Sequence, residues 1–288
     1  MAGAATRINE KMTLPRGRFL ELGRPLVMGV LNVTPDSFSD GGKLETTERA
    51  VAKADSMIAD GCDILDIGGE SSRPGSEPVP LEEELIRTIK VIEAVRKFSD
   101  IPISIDTTKA GVAYQAIEAG ADIINDISAL RFDENMVTVA AKFNGPVILM
   151  HMLGTPKTMQ DKPHYDDCIG EISRFFSERL EFCSAHGIDT ARVILDPGIG
   201  FGKRLEDNLE LIKKLDRFSE LGRPLLMGAS RKSFIAMIAG NGVSADKRIG
   251  GSLAAVFYAM QTGADIIRVH DVAETVEAIK VMKAIEQA

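Results

Sequence analysis

Asn32, Asp106, Asn125, Asp196 and Arg268 are scattered along the chain, yet each directly follows a short apolar run, and Lys232 and His270 stand a few residues beyond two such runs. The segments Gly68-Gly-Glu-Ser-Ser-Arg73 and Ser230-Arg-Lys232, the pair Asn125-Asp126, and His151 stand in equivalent places. Carboxylates and amides of this kind recognise a ligand rich in N–H and C=O groups, and cations beside them hold an anion. Helix capping explains the Asp, Asn and Ser positions as readily, because their oxygens accept from the free N–H groups of a first helical turn. For Asp106, ahead of Thr107 and Thr108, the two readings stand level. Capping does not explain Lys232, Arg268 and His270, since a cation near a helix N-terminus is unfavourable. Gathered on one surface, these residues would bind a polar, partly anionic molecule.

The elements that would gather them are legible as punctuation. Asp60-Gly-Cys-Asp-Ile-Leu-Asp66, Ala119-Gly-Ala-Asp-Ile-Ile-Asn125 and Thr262-Gly-Ala-Asp-Ile-Ile-Arg268 repeat one pattern, a glycine helix stop followed by an apolar run ending on a polar residue. Gly23-Arg-Pro-Leu-Val-Met-Gly29 is echoed by Gly222-Arg-Pro-Leu-Leu-Met-Gly228. Runs of this type predict eight strands at 26–30, 64–67, 102–105, 123–125, 147–150, 193–195, 225–228 and 266–269. They are short and almost wholly apolar, as strands covered on both faces must be. Segments with helical spacing, such as 82–98 and 166–186, lie between them. Eightfold strand–helix alternation predicts an α/β fold, a single (β/α)8 TIM barrel, with chemistry at the C-terminal strand ends. The 288 residues then divide into a flexible leader over 1–18 and one barrel domain over 19–288.

The first two loops of that barrel are long. Residues 32–42 contain Asn32, Asp36 and Asp40, hard oxygen donors of the kind Mg²⁺ accepts beside a phosphate, although an Asx-rich surface turn explains Asp36 equally well. Gly198-Ile-Gly-Phe-Gly202 with Lys203 lacks the spacing of a phosphate loop, and a glycine turn accounts for it. His151, His164 and His186 are too dispersed for a zinc triad. The net charge of −8 argues against a polyanionic partner such as nucleic acid and against an anionic membrane surface. Cys62, Cys168 and Cys183 form no CxxC pair, so reduced buried thiols and a cytoplasmic location are expected.

Met28-Gly-Val-Leu-Asn-Val-Thr-Pro-Asp-Ser-Phe-Ser-Asp-Gly-Gly42 resembles the first signature of the dihydropteroate synthase family, and Asp66-Ile-Gly-Gly-Glu-Ser-Ser-Arg-Pro-Gly75 resembles the second. Ser104-Ile-Asp-Thr107, Asn125-Asp-Ile127, Met150-His-Met-Leu-Gly-Thr-Pro156, Asp196-Pro-Gly-Ile-Gly-Phe-Gly-Lys203, Ser230-Arg-Lys-Ser233 and Arg268-Val-His270 fit in order from about residue 26 onward. The commoner second signature has Thr at the position of Ser72, a change that keeps the hydroxyl.

The resemblance implies displacement of pyrophosphate from 6-hydroxymethyl-7,8-dihydropterin pyrophosphate by p-aminobenzoate, through a pterin cation. It implies that Asp196 and Asn125 read the pterin edge, that Lys232 reaches its carbonyl side, and that Arg268 stacks on its face. Asn32, His270 and a Mg²⁺ bound with help from Asp40 would hold the pyrophosphate, while Asp106 stabilises the cation. Phe38, Ser72, Arg73, Pro74, Phe201 and Ser230 would form the aminobenzoate pocket, and the enzyme would be a homodimer. Two rivals are a corrinoid-linked methyltransferase on a related barrel and a silent pterin-binding paralogue. The first has no use for the Ser72-Arg-Pro and Ser230-Arg-Lys segments beside an anion site. Intact Asn32, Asp106, Lys232, Arg268 and His270 argue against the second.

Overall fold

Glycine stops and apolar runs build the parallel sheet in the way the repeat predicts. The computed structural model describes residues 11–34, 43–73, 75–240 and 242–288. Asp36, Phe38, Asp40 and Pro74 therefore lie outside the described residues. Eight strands, β3 (Leu26–Asn32), β4 (Ile64–Gly68), β5 (Ile103–Asp106), β6 (Ile123–Asp126), β7 (Val147–Met150), β8 (Val193–Asp196), β9 (Leu226–Met227) and β10 (Ile266–Val269), pair in parallel in the order β8-β7-β6-β5-β4-β3-β10-β9. A parallel bridge between Leu195 and Leu225 joins the last strand to the first and closes the barrel.

The connections carry helices α1 (Lys43–Ala59), α2 (Leu81–Arg96), α3 (Ala110–Ala119), α4 (Met136–Lys142), α5 (Cys168–Ala185), α6 (Leu205–Lys213), α7 (Ser233–Ala239), α8 (Ile249–Gln261) and α9 (Val272–Glu286). The aspartate of each repeat has a structural task. Asp63, Asp122 and Asp265 accept the backbone N–H of Val27 (2.8 Å), Ile103 (3.0 Å) and Leu225 (2.9 Å), tying each repeat to the start of a neighbouring strand. Gly120, at φ 118°, ends α3 in a conformation that a side chain would strain, and its N–H returns to Ala116 and Ile117.

Over residues 11–18, the part of the leader that is described, the expectation is corrected by the structure. Lys11–Leu14 (β1) and Arg18–Glu21 (β2) form an antiparallel hairpin. Met12, Leu14, Leu20 and Leu22 pack with Leu26, Met28, Ile64, Ile123, Ile148, Ile194, Leu226 and Ile266 in one buried cluster at the barrel floor. Arg16 and Arg18 reach the buried Asp122 carboxylate together with Arg96. Alternating burial along β1 supplies the hydrophobic attachment, and Asp122 supplies an electrostatic one.

Candidate functional site

A period of two along each strand decides which residues stand above that apolar floor. Two positions beyond Ile64, Ile123, Ile194 and Ile266 come Asp66, Asn125, Asp196 and Arg268. Asp106 and Gly68 are register partners, as are Asn32 and Gly68, so β3, β4 and β5 end side by side. Strand parity therefore places a polar layer directly over an apolar one.

Arg268 ties the layer together. Its Nε donates to Asp66 Oδ2 at 2.6 Å, and its Nη2 donates to Asp106 Oδ2 at 2.6 Å. Asn125 Nδ2 lies 3.3 Å from both Asp66 oxygens. Asp66 is fully buried, and such a carboxylate requires its cation and amide partners. Sequence reasoning did not single out Asp66 as a site residue. The available signal was a carboxylate inside the apolar run 64–67.

Burial dominates the electrostatics. It pushes the Asp106 carboxyl up to about 7, with Arg268 opposing and Asp66 reinforcing the rise. Burial also raises Asp196, whose Oδ1 accepts the Gly198 N–H at 2.7 Å. Burial, then the charge of Arg268, lowers Lys232 to about 8. The Lys232 ammonium lies 4.1 Å from the Phe201 ring centre, a cation–π contact. His270 is not one of the rim's charges, as its grouping with Lys232 and Arg268 implied. Burial, followed by Arg268, Arg231 and Lys232, lowers it to about 3, so the imidazole is neutral near pH 7. Its Nδ1 meets Ser230 Oγ at 3.2 Å.

The second-loop residues face two hollows. Ser72 lines one of about 330 Å³ together with Asp106, Thr107, Lys109 and Phe132. Arg73 is exposed and lines another of about 510 Å³ with Asn32, Arg231 and His270. Lys109 bridges Glu70 and the buried Glu84, fixing the base of the second loop against the turn that follows Asp106.

Two strand-end residues serve the scaffold instead of the open site. Asp126 accepts from the N–H groups of Ser128 (2.7 Å) and Leu130 (2.9 Å). His151 is buried against Lys203. No cluster of three or more His, Cys, Asp or Glu suited to a metal occurs among the described residues. The arrangement can hold a flat polar molecule on Asp196, Asn125 and Lys232, and an anion near Arg268, Arg73 and Asn32.

Known proteins share this sequence and fold. Residues 28–270 match the family described as pterin binding enzyme. A dihydropteroate synthase of Synechocystis is 48% identical over 262 residues, covering 91% of this chain and 90% of the relative. The Xanthomonas albilineans dihydropteroate synthase with 4-aminobenzoic acid superposes with a TM-score of 0.88 at 48% identity, over 94% of this chain and 97% of that one. The same enzyme in complex with 7,8-dihydropteroate gives a TM-score of 0.85 at 46% identity, with coverage of 94% and 97%.

Proposed function

This chain belongs to the pterin-binding enzymes, among the dihydropteroate synthases, and we propose from that premise how its own residues carry the reaction. It condenses 6-hydroxymethyl-7,8-dihydropterin pyrophosphate with p-aminobenzoate, giving 7,8-dihydropteroate and pyrophosphate in folate biosynthesis. The observation that carries the residue assignment is the convergence of β4, β5 and β10 on Arg268, which holds Asp66 and Asp106 at 2.6 Å each.

Asp196 accepts from the N–H groups of the pterin's aminopyrimidinone edge, and Asn125 pairs with its mixed remainder through an amide that both donates and accepts. Lys232 donates to the pterin carbonyl. Arg268 lies against the pterin face and is held in that plane by its two carboxylates. Lysine, a point charge, could not span both carboxylates while presenting a flat surface.

The bond between the pterin methylene and the pyrophosphate oxygen breaks, and the electron pair leaves with pyrophosphate. Positive charge then develops on the pterin methylene, where the Asp106 carboxylate stabilises it. A preorganised group of this kind is worth about 3 kcal/mol in the transition state. The neutral aniline nitrogen of p-aminobenzoate forms the new C–N bond and afterwards loses a proton. Phe201, Ser72, Ser230 and Arg73, with Phe38 and Pro74, hold the aminobenzoate. Closure of the first two loops would keep water from the cation.

Asn32 and His270 take the pyrophosphate, with Arg268 touching it from the pterin side. Neutral His270 contributes a hydrogen bond and not a charge. A Mg²⁺ bound near phosphate usually keeps several waters and needs only one or two protein oxygens. The Asn32 amide at the end of β3 fits that requirement, with Asp40 as the second donor. When bound, the ion would neutralise the leaving charge.

The same reading makes the protein a cytoplasmic homodimer. Its three cysteines are free and buried. Exposed Leu209, Ile238 and Tyr258 on α6, α7 and α8 line one apolar hollow, the face that a second copy would cover. A pyrophosphate-release assay tests the function: release should require p-aminobenzoate for sustained turnover and be suppressed by EDTA. Turnover insensitive to EDTA would remove the metal, and release without dihydropteroate formation would remove the transfer.

A further inference from the structure

Lys203 ends the glycine-rich turn after β8, and no role assigned above uses it. Its side chain is buried, with 4% of the residue exposed. Nζ meets three polar atoms: His151 Nδ1 at 3.0 Å, the His151 carbonyl at 3.3 Å and the Phe201 carbonyl at 3.1 Å. An ammonium donates to all three when His151 Nδ1 is an acceptor. A neutral amine accepts from His151 Nδ1–H and still donates to both carbonyls. The two carbonyls are therefore held in either protonation state.

The neighbouring carbonyls are taken as well. Gly200 O accepts from Gln160 Nε2 at 2.9 Å, and Gly202 O accepts from the Tyr165 hydroxyl at 2.8 Å. Three consecutive carbonyls of one turn are thus each engaged by a side chain, two of them from the segment between β7 and α5. Glycine permits the close approach. At Gly198 (φ +70°) a Cβ would lie 2.1 Å from the His151 carbonyl, and at Gly202 (φ +66°) 2.7 Å from Leu153 Cβ. What this pinned turn presents is Phe201, with the Lys232 ammonium over its ring.

We propose that Lys203 is a positioning residue for the aminobenzoate half of the site, fixing the Phe201 backbone to that of His151 so that the ring is held beneath Lys232. The proposal rests on the reading of Phe201 as an aminobenzoate contact. A double-mutant cycle of Lys203→Met and Phe201→Ala tests it, with KM for p-aminobenzoate measured at saturating pterin pyrophosphate. Lys203→Met should raise that KM about tenfold, while pterin pyrophosphate affinity by calorimetry stays within threefold. The double variant should be no worse than Phe201→Ala alone.

An unchanged KM in Lys203→Met overturns the proposal. So does a double variant whose effect is the product of the two singles, or a parallel loss of pterin affinity, because each marks a general structural role. An unchanged KM in Phe201→Ala, by contrast, removes the site reading itself, and the proposal falls with it. If Lys203→Met does not fold, Lys203→Gln, whose amide keeps two donors, carries the same cycle.

Discussion

Arg268 and Asp106, 162 positions apart in sequence, meet at 2.6 Å across the barrel mouth. Their strands are not neighbours, since β4 and β3 lie between β5 and β10. The contact spans the interior, directly above the apolar floor. It brings the residue assigned to the pterin face against the residue assigned to the developing cation, while Asp66 holds the other side of the same guanidinium.

Arg268→Lys keeps the charge and loses the fork. A lysine would satisfy one carboxylate and leave the other buried without its partner, which costs more than a simple hydrogen bond. Pterin pyrophosphate affinity by calorimetry should fall at least tenfold. Unchanged affinity would reject both the stacking role and the anchoring by Asp66 and Asp106.

Two shifted groups set a narrow pH window. On the proposed roles, the active free enzyme has Asp106 ionised and Lys232 protonated. Asp106, raised to about 7 by burial, gains its charge as pH rises through that value, so kcat/KM climbs toward neutrality. Lys232, lowered to about 8 by burial and Arg268, loses its charge above that value, so kcat/KM falls again. His270, lowered to about 3, adds no limb in this range. Lys232→Arg should move the alkaline limb upward by more than one pH unit. A flat profile from pH 6 to 9 would contradict the assignment.

The floor should be separable from the rim. Leu14 is 1% exposed within the hairpin that closes the barrel base. Leu14→Ala should lower unfolding free energy by about 2–4 kcal/mol in denaturant titrations, with kcat/KM unchanged at 25 °C. A variant of full stability, or one of lowered activity, would show that the hairpin does something other than plug the floor.

Legibility in the sequence followed the range of the interaction. Strand positions were readable because burial on both faces leaves short apolar runs, and because all eight strands are parallel their end residues gather at one mouth. Boundaries moved by a residue or two, as at β3, which runs on to Asn32, and β9, which shrinks to Leu226–Met227. The hairpin is hard to read although Lys11-Met-Thr-Leu14 alternates polar and apolar, because Asp122, the partner of its arginines, is more than 100 residues away. Asp66 was hidden in the same way, a carboxylate that makes sense inside an apolar strand only once Arg268 is beside it. The Lys203–His151 contact joins two turns whose approach depends on glycine backbone geometry, which periodicity does not encode.

The account is tested most directly at Asp106, by measuring turnover and pterin pyrophosphate binding on the same Asp106→Asn preparation. The asparagine keeps the shape and a hydrogen bond to Arg268, and it removes the charge that faces the pterin methylene. The account predicts a fall in kcat of about 10²–10³, with calorimetric affinity for pterin pyrophosphate within a few-fold of the parent. An unchanged kcat would contradict it, because the group placed to stabilise the cation would then have no part in the step.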